Sequence, residues 1–247
     1  MSLEDFISNM SEEDLKRLNE AFYKKQNLIP TYQYSKITFN QLETLVDITQ
    51  NIANSRFDDW FFNSDINISD KIVTFLQELI EKEKHYIKVY NEEDLKVNFI
   101  IPVLNKIDFK IDGKIRGFYE EPITYATNKF IFNGTTDFLV STGFRKPKKP
   151  YFFIQEFKKG QASAFPEPQL LAELIAAVEL NGWSEIKGAY IVGSIWNFVI
   201  LEKIKVGQYR YFVSENFDCT KIDDLKNIFR HLLFVKNKII KTATTLN

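Results

Sequence analysis

Residues Tyr151-Phe-Phe-Ile-Gln-Glu156-Phe-Lys158 place an acid and a lysine two positions apart in a run that is otherwise aromatic and branched. Alternate residues of a strand project to one face, so Glu156 and Lys158 are expected to point the same way, in line with Phe152 and Ile154. The segment is too apolar for an exposed edge strand, which makes it a covered strand of a sheet. Two charges on a covered face are costly unless they are paired or bind a metal. Upstream, Gly134-Thr-Thr-Asp137-Phe-Leu-Val140 opens another apolar strand with one more acid. Two carboxylates for a hard divalent cation, with an ammonium beside them, are the makings of a phosphodiester-cleaving site.

The acid-x-Lys triplet is uninformative by itself, since it recurs at Asp14-Lys16, Asp94-Lys96 and Glu185-Lys187 among others. Only Glu156-Lys158 lies inside a long apolar run and follows a second acid-bearing strand by one loop. That loop carries Arg145, Lys146, Lys148 and Lys149. It reads either as a solvated turn or as a phosphate contact for nucleic acid.

At 247 residues and 45% hydrophobic content the chain suffices for one large α/β domain or a domain with an appendage. With 32 Lys+Arg against 33 Asp+Glu, it does not look like a polyanion-coating protein. The single cysteine, Cys219, excludes an internal disulfide framework and zinc-finger spacing, and fits a reducing cytoplasm. The two histidines, His85 and His231, read as helix-surface residues, which weighs against zinc hydrolases and serine-type triads. No stretch approaches the ~18 apolar residues of a membrane span, and no secretory signal is evident, so a cytoplasmic protein without membrane contact is expected.

Residues 1–88 read as a helical region. Ser11-Glu-Glu-Asp caps a helix to about Lys25, residues Asn40 to Ala53 carry helical spacing with a gap at Thr49 and Ile48 off the stripe, and Ser69-Asp70 caps a third helix. The aromatic cluster Phe57, Trp60, Phe61 and Phe62 reads as packing. Residues 89–247 form the second unit. A helix begins at Asn91, with a kink or restart expected at Pro102. Strands follow at 115–120, 123–127, 130–132, 137–141 and 151–157. A helix runs from Gln169 to Asn181, with strands then at 189–193, 197–201 and 209–213 and a final amphipathic helix from Lys221. The order implies a sheet sandwiched by helices.

That order, with Asp137 and Glu156-Phe157-Lys158 on successive strands, resembles the PD-(D/E)XK nuclease superfamily over about residues 91 to 213. It is similar in particular to the N-terminal nuclease region of type I restriction motor subunits. Thr136 stands where the motif's name has proline. The resemblance implies an α/β, restriction-endonuclease-like core, a mixed central sheet flanked by helices, with an α-helical N-terminal region. It implies Asp137, Glu156 and the main-chain carbonyl of Phe157 as ligands of Mg²⁺, with Mn²⁺ able to substitute, and Lys158 as the residue that positions water and stabilises developing charge. Glu93, or Glu92 beside it, would be the acid of the first core helix, and Gln169 the glutamine of the helix after the lysine strand, with Glu173 one turn on. Arg145, Lys148, Lys149 and Lys159 are candidate nucleic-acid contacts. The expected activity is metal-dependent hydrolysis of DNA in restriction or defence; with no phosphate-binding Gly-rich loop and so no helicase, the chain is expected to act alone, as a homodimer or with a separate partner subunit. The alternative is a catalytically silent protein that keeps the nuclease fold for binding or scaffolding.

Overall fold

A strand apolar on both faces needs a layer on each side, and the computed structural model, which describes residues 10–26, 29–52, 54–62, 66–111, 113–158 and 165–245, provides both. The chain is an α/β protein built on a mixed, strongly curled nine-stranded sheet. Its strands are β1 (Thr31–Gln33), β2 (Asp47–Gln50), β3 (Ile115–Ala126), β4 (Ile131–Thr142), β5 (Lys148–Lys158), β6 (Glu185–Val192), β7 (Ile195–Lys205), β8 (Gln208–Val213) and β9 (Phe217–Asp218). They run in the order β1-β4-β5-β6-β7-β8-β2, with β3 on β4 and β9 on β7. The helices are α1 (Glu12–Gln26), α2 (Phe39–Leu45), α3 (Asp58–Phe61), α4 (Asp70–Glu83), α5 (Glu92–Leu95), α6 (Ile101–Ile107), α7 (Glu167–Asn181) and α8 (Ile222–Thr245). A π-helical turn, Lys96–Ile100, joins α5 to α6, and α6 restarts with Pro102 in its first turn, where a missing N–H costs nothing.

On one face, Phe138, Val140, Phe153, Phe157, Ile191 and Phe198 pack with residues of α3, α4, α6 and α8. On the other, Leu139, Ile154, Tyr190, Val199 and Leu201 pack on α7. Helix α7 is apolar nearly all round, with every residue from Glu167 to Val178 buried, and such a helix cannot lie on a surface. The sheet covers one side of it, and the 3₁₀ turn Tyr34–Lys36 and α2 cover another. Close approach is needed: a Cβ at Gly188 of β6 would stand 2.9 Å from the Ile154 oxygen and 3.0 Å from the Leu174 side chain.

The first third therefore is not only helical. Residues 31–33 pair in parallel with β4, and residues 47–50 pair in parallel with β8, so this region supplies both ends of the strand path. The helix expected from Asn40 to Ala53 stops at Leu45 instead. Val46 is extended, and β-branched Ile48 and Thr49, the two residues that broke the helical stripe, lie in β2. The aromatic cluster is packing, as its density suggests: Phe57 and Trp60 are buried in the α8-side core, whereas Phe62 is 80% exposed. Strand β3 is continuous over Ile115–Ala126, where two segments were expected. Phe152 departs from its expected alignment with Ile154. It is an extra residue in β5, opposite the step from Val140 to Ser141 of β4, and this bulge turns it to the α8-side core. His231 is buried among aromatic rings and not on a helix surface, while His85 is exposed. Among the described residues no helix is long and apolar enough to cross a membrane.

Candidate active site

Strand β4 has β3 along one edge, while its other edge is shared. β1 takes Ile131–Asn133 and β5 takes Phe138–Thr142, which among the described residues leaves Gly134–Asp137 between them without a strand partner on that side. Tyr34, the residue after β1, fills the start of this gap. A Cβ at Gly134, whose φ is 152°, would come within 2.8 Å of its ring. Asp137 lies at the other end of the gap, where β4 and β5 diverge.

Pairing of Phe138 with Gln155 makes Asp137 and Glu156 the next opposing residues, on the α7 side of the sheet with Leu139 and Ile154. Here side chains take over from the main-chain ladder. The Asp137 N–H donates to Glu156 Oε1 at 3.1 Å, and the Phe157 N–H donates to Asp137 Oδ2 at 2.8 Å. The two carboxylates are thus held by each other's strand, Glu156 fully buried and Asp137 at 9% exposure.

Helix α7 completes the wall. Gln169, in its first turn, donates through Nε2 to Glu156 Oε2 at 2.5 Å and to Glu173 Oε1 at 3.2 Å. Burial raises the Glu156 carboxyl well above the usual carboxylate range, with the nearby Glu173 and Asp137 adding to the effect. Burial also pushes Glu173 up to about 8, against the hydrogen bonds from its neighbours. Burial thus favours a proton held between Glu156 and Glu173 at neutral pH, which lets three acids share this interior.

Two lysines flank the pair. Lys158 lies on the face of Glu156, and its Nζ stands 3.5 Å from Glu92 Oε1 of α5. Lys96, in the π-helical turn, places Nζ 2.6 Å from Glu120 Oε1, 3.5 Å from Glu93 Oε2 and 3.6 Å from Asp137 Oδ1. Burial disfavours its charge, but Glu120 and Asp137 outweigh that, and the ammonium's pKa is raised. Glu120 stands opposite Asp137, between the pairs Tyr119–Phe138 and Glu121–Thr136. A row of three acids, Glu120, Asp137 and Glu156, thus crosses β3, β4 and β5. Glu120 has φ 53°, a left-handed conformation that L residues seldom adopt.

The structure brings together Asp137, Glu156, Lys158 and Gln169, with the main chain of Phe157 beside them. Glu93 touches Lys96, and the Lys158 partner in the first core helix is Glu92. Arg145, Lys148 and Lys149 are exposed at the far end of the β4–β5 hairpin. From Asp137 to Thr142 alone is about 17 Å at a strand rise of ~3.4 Å per residue, so this loop does not rim the carboxylates. Lys159 lies outside the described residues. Sequence reasoning passed over Lys96 and Glu120. Lys96 could have been found, because it shares a helical stripe with Phe99, Ile100 and Val103, and a cation on an apolar stripe needs acids nearby. Glu120 carries no such signal, since its side chain reaches Lys96 only through the left-handed backbone.

The oxygens face different surroundings. Both Glu156 oxygens and Asp137 Oδ2 accept hydrogen bonds, and among the described residues Asp137 Oδ1 faces the Lys96 ammonium. Among the described residues no three His, Cys, Asp or Glu side chains are grouped to hold a metal ion. Carboxylate and carbonyl oxygens are nonetheless the donors that a hard divalent cation takes, and Mg²⁺ commonly uses only one or two carboxylates and fills its shell with water. No protein-family model matches the chain, and no curated protein matches its sequence.

Proposed function

We propose that the protein is a divalent-cation-dependent nuclease with a restriction-endonuclease-like core, hydrolysing phosphodiester bonds in DNA in a restriction or defence role. The observation that carries this reading is the placement of Asp137 and Glu156 as opposing residues at the divergence of β4 and β5, with Lys158 one step further on the same face. Asp137, Glu156 and the carbonyl of Phe157 would hold Mg²⁺ or Mn²⁺, which when bound polarises a phosphate and acidifies a water.

The chain's own residues have distinct tasks in this reading. Asp137 would offer Oδ1 to the cation, because the Phe157 N–H fixes Oδ2. Gln169 and the Asp137 N–H hold Glu156 from both sides, so its carboxylate does not rotate. Lys158, 18% exposed and loosely paired with Glu92, is free to donate to the attacking water or to a phosphate oxygen as negative charge grows there. A proton on Glu173 once Glu156 is ionised would keep the interior behind Glu156 from accumulating further negative charge.

A second reading, a nuclease-fold binding protein without chemistry, is favoured by the Lys96 ammonium facing Asp137 Oδ1 and by the distance of the basic loop. One assay separates the two. Supercoiled, linear and single-stranded DNA, with an RNA control, are incubated with Mg²⁺, Mn²⁺ or EDTA. The nuclease reading expects metal-dependent cleavage that Lys158→Met reduces by about 100-fold or more while the melting temperature is retained. Intact DNA under every condition, from a folded protein, would leave the binding reading in its place.

A further inference from the structure

Among the described residues Lys96 is the one buried lysine, and the proposed chemistry does not use it. It is 93% buried if its 7% exposure is subtracted from the whole. Its stem passes beside the Phe157 ring, with Nζ 5.8 Å from the ring centroid. Its ammonium meets carboxylates from three elements: Glu93 of α5, Glu120 of β3 and Asp137 of β4. Two backbone irregularities bring these groups together, the π-helical turn that carries Lys96 and the left-handed Glu120.

We propose that Lys96 is an internal counter-ion that takes the place of the divalent cation at Asp137 Oδ1 and thereby sets the affinity of the site. Asp137 Oδ1 is the oxygen of the pair that no N–H of the described residues occupies, and a cation bound there and an ammonium 3.6 Å away would repel each other. Glu120 and Glu93 are the holders to which the ammonium withdraws when the cation enters. Glu120, its nearest partner at 2.6 Å, lies on the exposed side of the cluster with a side chain 58% exposed. The two irregularities then have a purpose: they keep a cation within reach of Asp137 and give it somewhere to go. This inference rests on the reading of Asp137 as a cation ligand.

The experiment measures Mn²⁺ binding to the full chain by calorimetry, together with melting temperature in EDTA and in Mn²⁺. Lys96→Met should bind Mn²⁺ about tenfold tighter than the wild type or more, and Lys96→Arg should not. In EDTA, Lys96→Met should melt lower, because the acids lose their counter-ion, and it should regain more on Mn²⁺ addition than the wild type does. Glu120→Gln, a change at an exposed side chain, should weaken Mn²⁺ binding, since the ammonium then leans on Asp137. The double variant should return to the tight binding of Lys96→Met. A double variant as weak as Glu120→Gln would make Glu120 a ligand and overturn the proposal, and so would equal or weaker binding by Lys96→Met. If Mn²⁺ binding depends on Asp137 but ignores Lys96, only this inference falls. If the wild type and all variants bind no Mn²⁺, it falls together with the nuclease reading.

Discussion

The indole N–H of Trp60 donates to the main-chain oxygen of His231 at 2.9 Å, and the ring of Phe61 lies on the His231 imidazole with centroids 3.9 Å apart. These contacts join α3 to α8 across 171 positions of sequence. Arg56 adds ion pairs to Glu185 and Glu202 of the sheet. The aromatic segment of the first third is therefore a piece of the core of the last third.

Trp60→Ala should cost about 3–5 kcal/mol, because the ring is almost fully buried and its hydrogen bond leaves a buried carbonyl behind. Chemical denaturation monitored by far-ultraviolet circular dichroism measures this. A loss below about 1 kcal/mol would show that the segment is peripheral.

His231 sets an acid limb of stability. Burial lowers its pKa to about 3 from an ordinary 6.5, and among the described residues neither ring nitrogen has a hydrogen-bond partner. The unfolded chain therefore binds this proton more readily than the native one. The contribution is fully present above pH 6.5 and declines by up to about 1.4 kcal/mol per pH unit below it. His231→Phe should flatten this limb, giving a smaller fall in melting temperature between pH 7 and pH 5 than the wild type shows. Parallel curves for the two proteins would assign the acid limb to other groups.

Glu173 has the opposite sign. Its carboxyl is raised from 4.5 to about 8, so the folded protein holds the proton more tightly than the unfolded chain. The associated stability is complete below pH 4.5 and is lost as pH rises through 8. In EDTA, Glu173→Gln should remove much of this alkaline loss, so its melting temperature should overtake the wild type's increasingly from pH 6 to pH 9. A constant offset across that range would contradict a buried proton at this position.

Deleting residues 1–50 should make the remainder aggregate. The deletion uncovers the β8 edge, the start of β4 and one side of α7, three surfaces that present unpaired main-chain groups or apolar side chains. Size-exclusion chromatography of a 51–247 fragment tests this. A monomeric, cooperatively melting fragment would show that the two edge strands are dispensable.

The sequence was most readable where burial and charge coincide. Glu156 and Lys158 stand out in an aromatic run, Asp137 opens the neighbouring strand, and Gln169 follows two prolines at a helix start; Glu156 hydrogen-bonds with both Asp137 and Gln169, and Lys158 lies one step along its face. Asn91 caps α5 as its sequence suggests, with its side chain accepting from the Asp94 N–H. What escaped detection depends on distant partners. Residues 31–33 and 47–50 are too short to announce themselves as strands, and they are extended because β4 and β8 offer them a ladder. The inward turn of His231 depends likewise on Phe61, Phe198 and Phe217, none of them near it in sequence. Placement of Arg145, Lys148 and Lys149 away from the carboxylates follows from hairpin length, which the loop's composition does not encode.

The way the sheet borrows both ends of its strand path from the first fifty residues bears on how the chain is made. Thr31–Gln33 must find Ile131–Asn133, and Asp47–Gln50 must find Gln208–Tyr211, the latter pairing across about 160 positions. During synthesis the earliest segments emerge long before their docking sites exist. β1 has no ladder to join until β4 has left the ribosome, and β2 has none until β8 has. Such long-range closure is slow relative to helix formation. The chain's exposure to misassembly therefore lasts until β8 is made, because β2 has no strand to join before then.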